Sequence, residues 1–400
     1  MNEVQQETLR LLGAALKNEP FEMKPGTDWE AVYKEMCVQG VVALPRKIIR
    51  DIPMDAELKK NWERAAMINI GYCMKLTHEE LEIKKLFDAE QIPFTVLKGT
   101  ASAMYYPQPY LRSRSDIDLI TCRIDHERAC ECLEKNGYIS TEPINDETAR
   151  HIGFCKNGIT IELHRFFSSY FKNEKDYYLQ EVIEEGVKHS GLSEKGENGV
   201  PVPPDTVNGM VLLSHIVQHI DGGIGLRQWL DFVVFAQTVL TDEFWSKAFQ
   251  QEIEKLGYTQ LAKVLTRTGQ LYLGLCMNIH WCEDVEDEVC EELIEFLLSV
   301  GDLGQKQENQ DFHIAVALNK GRGGIVNRFR YLQQSGVENW RALNKYPWLK
   351  PFAWLYRLVQ YVVKALRGGK PITRLIKGMR KSKKQESFFN KLGLANHSAE

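Results

Sequence analysis

Asn157-Gly158 limits most sharply what this chain can fold into, because it stands between the two extended runs of HIGFCKNGITIELH, residues 151–164. A two-residue Asn-Gly loop suits the turn whose twist matches two paired strands, so this stretch predicts an antiparallel hairpin. On its second strand Thr160, Glu162 and His164 alternate with Ile159, Ile161 and Leu163. Side chains two apart share one face of a strand, so the polar trio points one way and Glu162 becomes a candidate acidic ligand.

A second stretch, Asp116-Ile117-Asp118-Leu119-Ile120, repeats that alternation with two acids. A strand aims Asp116 and Asp118 at one point and turns Ile117 and Leu119 to the core. Two carboxylates about 6 Å apart in a medium of effective dielectric ~20 repel by roughly 2 to 3 kcal/mol, so a nearby cation is expected. Mg²⁺, with Mn²⁺ as its alternative, prefers one or two carboxylates plus water and phosphate oxygens to an all-protein cage. Alone, Asp-x-Asp also fits two solvated residues at a strand end.

The 400 residues exceed one ordinary core. With 44% hydrophobic and 26% charged residues the composition is globular. The polar start Met1-Asn2-Glu3-Val4-Gln5-Gln6 has no signal-peptide core, which predicts a cytoplasmic protein. Nine cysteines without a Cys-x-x-Cys pair fit reduced, mostly buried thiols. Cys276, His280 and Cys282 lack the fourth ligand and the paired spacing of a zinc site.

Helical periodicity predicts helices over Val4 to Leu16, Trp29 to Gln39 and Asp55 to Glu90, ended by Pro93. Phe94-Thr95-Val96-Leu97 reads as a strand running into Lys98-Gly99-Thr100, followed by a helix from Ala101 to Tyr106. Asp125 is expected to cap the next helix, through Lys135, with Gly137 as its stop. Leu192 to Pro204 has linker composition. Beyond it, Thr206 to Ile220, Leu226 to Leu240, Phe244 to Leu256, Leu261 to Leu273 and Glu283 to Val300 are helical spans.

The order of these features, Lys98-Gly99-Thr100 turn, helix, Asp116-x-Asp118 strand, helix and Glu162 strand, resembles the nucleotidyltransferase superfamily related to DNA polymerase β. More narrowly, LKGTASAMYYPQPYLRSRSDIDLI is similar to a bacterial nucleotidyltransferase family with Leu-Lys-Gly and an Arg four residues before Asp-Ile-Asp-Leu, here Arg112. The likeness covers about residues 91–165. It departs from the superfamily at Thr100, where Ser or Gly is usual, and in the step of 17 positions from Gly99 to Asp116, longer than in many members. The resemblance implies an α+β fold: a small mixed β-sheet nucleotidyltransferase core, 91–190, embedded in helical regions at 1–90 and 205–305, the second closing the site.

The implied reaction is attack of an acceptor hydroxyl on the α-phosphorus of an NTP, with ATP the expected nucleotide, and departure of pyrophosphate. Two metal ions can clamp such a displacement. Asp116, Asp118 and Glu162 would hold them, with Glu162 also a general-base candidate. Gly99 would permit close approach to phosphate, with amides at the start of the following helix favouring the anion. Lys98, Thr100, Arg112 and Arg114 would complete the nucleotide site. HIVQHIDGGIGLRQWLDF is also similar to the narrow family. His215 and His219 share a helix face and fit either core or capping histidines, or, with Asp221 and Arg227, the border of the pocket. The Gly222-Gly223 turn would let this helix pair close over the catalytic face.

Residues 320–400 carry 18 Lys+Arg against 3 Asp+Glu, although the whole chain has a net charge of −4. The segment 348–384 mixes Trp, Tyr and Leu with Lys and Arg and is too often interrupted to span a bilayer. It fits an amphipathic helix on an anionic membrane surface, docking on the acidic remainder of the chain, or a nucleic-acid contact. Peripheral placement at the inner face of a membrane goes with the first of these. The Tyr-Pro-Trp-Leu ending resembles proteins of surface polysaccharide synthesis, implying a sugar-linked acceptor. The rival reading is a non-catalytic nucleotide-binding or scaffold protein that retains the fold.

Overall fold

The computed structural model describes residues 1–141, 150–168, 174–189, 199–220, 223–302, 306, 332–333, 336–337, 340, 343, 346–367 and 387–394. The chain opens with helices α1 (Glu3–Lys17), α2 (Trp29–Val38), α3 (Arg46–Ile49) and α4 (Ala56–Ala89). Local chemistry sets their starts: Asn2 and Gln5 form a reciprocal capping box on α1, and the Asp55 carboxylate accepts from the first amides of α4.

Strand β1 (Phe94–Leu97) leads into the short helix α5 (Gly99–Ala103), then β2 (Ile117–Thr121), α6 (His126–Lys135), β3 (Ile139–Ser140), β4 (His151–Lys156) and β5 (Ile159–His164). The sheet order is β1-β2-β5-β4-β3, antiparallel throughout except for the parallel β2–β5 pair. The architecture is α+β with a mixed five-stranded sheet. Asn157 and Gly158 have φ of 53° and 73°, both in the left-handed region that the hairpin turn requires.

Helices α7 (Glu174–His189), α8 (Asp205–Ile220), α9 (Leu226–Val239), α10 (Asp242–Phe244), α11 (Gln250–Leu256), α12 (Thr259–Leu273) and α13 (Asp287–Val300) follow, with α14 at Ala353–Arg367. A π turn, Trp245–Phe249, divides the span expected as one helix from Phe244 to Leu256.

Two apolar clusters separate the faces of the sheet. Ile117, Leu119, Ile161 and Leu163 pack against Leu76, Ile83 and Phe87 of α4 and Leu133 of α6. Ile120 joins the larger cluster built around α8, α9, α12 and α13. The strand alternation therefore buries Ile117 and Leu119 as expected and turns Asp118 toward the helices that follow the sheet.

Several sequence expectations are corrected. The helix after β1 begins at Gly99 and ends at Ala103, because Lys98 itself makes the turn at φ 50°, ψ −113°. Asp125 precedes α6 without a side-chain cap, since its carboxylate accepts from Arg128 at 2.8 Å. The last helix of the 205–305 region starts at Asp287 rather than Glu283. Residues 200–204 are not a loose linker: Val200 and Val202 are buried, and Pro201 O accepts from Val96 N–H at 2.9 Å along the free edge of β1. Residues 192–198 of that linker lie outside the described residues.

The described part of the basic tail divides in two. Phe388, Phe389, Leu392 and Leu394 are buried in the larger cluster, and Lys391 Nζ lies 2.7 Å from Glu292 on acidic α13. Trp348, Phe352, Leu355 and Val359 are exposed. Residues 368–384 lie outside the described residues. No helix among the described residues is long and apolar enough to cross a membrane.

Candidate functional site

The parallel β2–β5 pairing sets Asp118 beside Glu162 in register. Asp116, immediately before β2, and both of these acids line one cavity of about 150 Å³, together with Lys98, Gly99, Arg112, Arg114, Ser115, His215, His219 and Arg227. Two expected acids and a third from a different strand thus meet on the same side of the sheet. The spacing of Asp116 and Asp118 is a local property of an extended chain, whereas Glu162 arrives only through the strand pairing.

Their electrostatics differ. Burial and the neighbouring Asp118 push Asp116 above the usual carboxylate range. Burial also opposes ionisation of Asp118, but Lys98 and His164 outweigh it and hold that carboxyl well below the usual range. Lys98 Nζ lies 2.8 Å and His164 Nε2 3.0 Å from the same oxygen, Asp118 Oδ1. Glu162 is lowered chiefly by His164, 3.4 Å away. A held anion is a better cation ligand than a proton acceptor, so this environment favours the first of the two roles expected for Glu162.

The basic residues are not free cations. Arg112 is buried and grips Asp231 of α9 with two bonds, Nε–Oδ1 at 2.9 Å and Nη2–Oδ2 at 2.5 Å, while Tyr106 donates to Asp231 Oδ1 at 2.9 Å. Arg114 pairs with buried Glu80 of α4 and donates to Thr77 at 3.0 Å. Its Nε, buried, has no partner. Thr100, expected on the nucleotide, instead donates to Glu80 Oε2 at 2.6 Å and lies outside the cavity lining. A buried carboxylate needs donors, and Glu80, raised by burial against the pull of Arg114, takes both.

Gly99 has a structural reason for lacking a side chain: a Cβ there would sit 3.2 Å from Arg114 Nε. The five residues of α5 are also too few for the helix-terminus contribution expected after Gly99.

His215 and His219 belong to the cavity wall, their rings 4.6 Å apart. Burial, then Lys98, lowers both, His219 to about 4. Arg227 also lines the cavity but is tied to Asp302 by bonds of 3.0 and 3.1 Å. Such an anchor counts against α8 and α9 swinging as a lid. Asp221 and Gly222 lie outside the described residues.

Sequence reasoning gave no role to His151 or His164, or to Arg150, whose charge is felt by Asp118 and Glu162. The signal was present: His164 shares the polar face with Glu162, and a two-residue turn at Asn157-Gly158 places His151 opposite His164. Of the nine cysteines, seven are buried. His280 is exposed on Glu283 at 2.7 Å, and it forms no metal-ligand cluster with Cys276 and Cys282 among the described residues.

Residues 25–274 match a family model described as "Uncharacterised nucleotidyltransferase". No curated protein and no solved structure matches the chain.

Proposed function

Because this chain belongs to the uncharacterised nucleotidyltransferase family, we propose that it moves an NMP from an NTP, with ATP the first candidate, to a hydroxyl of an acceptor and releases pyrophosphate. The observation that carries this reading is the gathering of Asp116, Asp118 and Glu162 on one cavity through the parallel β2–β5 register.

The donor set fits Mg²⁺ or Mn²⁺: carboxylates crowd one site, and burial together with the neighbouring Asp118 charge makes Asp116 resist ionisation there. Asp116, Asp118 and Glu162 are the proposed ligands. Bound there, such ions supply Lewis acidity at the α-phosphate and the attacking hydroxyl.

The chain's own residues do the rest. Lys98 holds Asp118 anionic across 2.8 Å and stands on the cavity lining, where its ammonium would also face the triphosphate. Arg112, clamped by Asp231, fixes the approach to Asp116 rather than meeting phosphate. Arg114 offers its unpartnered Nε–H beside Gly99. His164 keeps Glu162 and Asp118 anionic.

The exposed Trp348, Phe352, Leu355 and Val359 support contact of this segment with an anionic membrane surface, while a sugar-bearing acceptor rests on the resemblance of the Tyr-Pro-Trp-Leu ending alone. Liposome flotation of the full chain against a variant with Ser in place of the exposed Trp348, Phe352, Leu355 and Val359 tests that contact, and equal flotation rejects it. Transfer itself is tested by incubating the protein with each labelled NTP, Mg²⁺ or Mn²⁺ and cell extract. Pyrophosphate release that persists in Asp116→Asn and Asp118→Asn would overturn the reading.

A further inference from the structure

We propose that His151, Glu162 and His164 form a divalent transition-metal site on the flank of the catalytic cavity, taking ions of the Mn²⁺ to Zn²⁺ series in preference to Mg²⁺. Each of the three offers a donor atom, and these atoms all lie within 4.8 Å of one another. His164 Nε2 is 3.4 Å from Glu162 Oε2, and His151 Nε2 is 3.9 Å from Glu162 Oε1. Donors bonded at about 2 Å to one ion stand roughly 3 to 4 Å apart, so little movement separates this arrangement from a coordinated one.

The sheet builds this geometry. Glu162 and His164 are two apart on β5, hence on one face, and His151 is the cross-strand partner of His164 on β4. Gly153 is the β4 partner of Glu162 and puts no side chain beside the carboxylate. The rings of His151 and His164 lie 5.1 Å apart, edge to face. Each oxygen of Glu162 is the one nearer a different imidazole. Asp118 Oδ1, 3.0 Å from His164 Nε2, stands ready as a further oxygen.

The donor chemistry chooses the ion. Mg²⁺ takes oxygen ligands and water, whereas two imidazoles with one carboxylate suit first-row transition ions. Ligation through His164 Nε2 requires the ring proton on Nδ1. That atom is buried and has no partner, so the proton moved there displaces no existing bond but gains no acceptor either. What is exchanged is the His164–Asp118 hydrogen bond, for a cation that both residues can share. The site depends on the transfer reading for its link to catalysis, through the shared Glu162, and not for its existence.

The test uses the full chain and Mn²⁺ as probe, with pulsed electron paramagnetic resonance reporting nitrogen bonded to the ion. Imidazole nitrogen coupling is expected in the wild type. His151, with 31% of its side chain exposed, can be replaced with little risk to folding. His151→Ala should reduce that coupling and weaken Mn²⁺ binding about tenfold or more. His164→Gln, at a fully buried position, is read only alongside a circular dichroism spectrum matching wild type, and should remove the coupling further. Bound Mn²⁺ without nitrogen coupling, or unchanged coupling and affinity in His151→Ala, overturns the site. Nitrogen coupling in a protein that releases no pyrophosphate with Mg²⁺ supports the site while removing the transfer reading.

Discussion

Lys98 Nζ lies 2.8 Å from Asp118 Oδ1, with side chains only 13% and 7% exposed, so the lysine expected to meet phosphate is the counter-ion of a carboxylate expected to hold metal. Breaking a buried pair strands one charge, at a cost of about 3 to 5 kcal/mol. Asp118→Asn should therefore lower the melting temperature in EDTA. Asp116→Asn should raise it slightly, because Asp116 is strained by burial and by Asp118 in the ionised form. Differential scanning fluorimetry separates the two, and a shift of the same sign in both would contradict this electrostatic account.

Arg112 and Asp231 pin the loop before β2 to α9 through a fully buried two-point contact. Arg112→Ala is expected to cost about 3 to 5 kcal/mol in urea unfolding, since Asp231 then keeps only Tyr106. A residue serving only as a phosphate contact would leave stability unchanged.

Acid should weaken the fold through histidines kept neutral by burial. His126 is lowered to about 4, burial outweighing its contact with Leu163 O at 3.2 Å. The folded chain thus binds this proton less readily than the unfolded chain. The stabilising contribution is complete above about pH 6.5 and is lost as pH falls toward 4, to the extent of roughly 3 kcal/mol. His126→Gln should flatten the unfolding free energy across that window. An unaltered slope would show that His126 titrates normally.

The C-terminal segment should be part of the folded body. Phe388 and Phe389 are 5% and 7% exposed and pack on Phe296. Phe→Ala at such positions removes about 3 to 5 kcal/mol. Termination after residue 386 should lower the melting temperature by several degrees, and identical melting of the shortened chain would refute the docking.

Much of this protein could be read locally, and for a local reason. The Asn157-Gly158 turn, the alternation about Asp116 and Asp118, and the helical periodicity from Asp55 to Glu90 each depend on neighbours in sequence, and each corresponds to an element found. Glu162 was accessible because strand alternation put it on a polar face, and His151 was accessible from hairpin register although no role had been given to it. Charges were harder. Lys98, Thr100, Arg112, Arg114 and Arg227 all offered donors suited to phosphate, yet each has a protein acceptor: Asp118, Glu80, Asp231, Glu80 and Asp302. Those acceptors lie between 20 and 119 positions away. A residue's charge is written in the sequence, but its partner is chosen by packing. The sequence by itself determined the strands, the turn and which faces carry acid; only the tertiary structure decided which cations stay available, because desolvation inside the fold obliges each buried charge to find an opposite one.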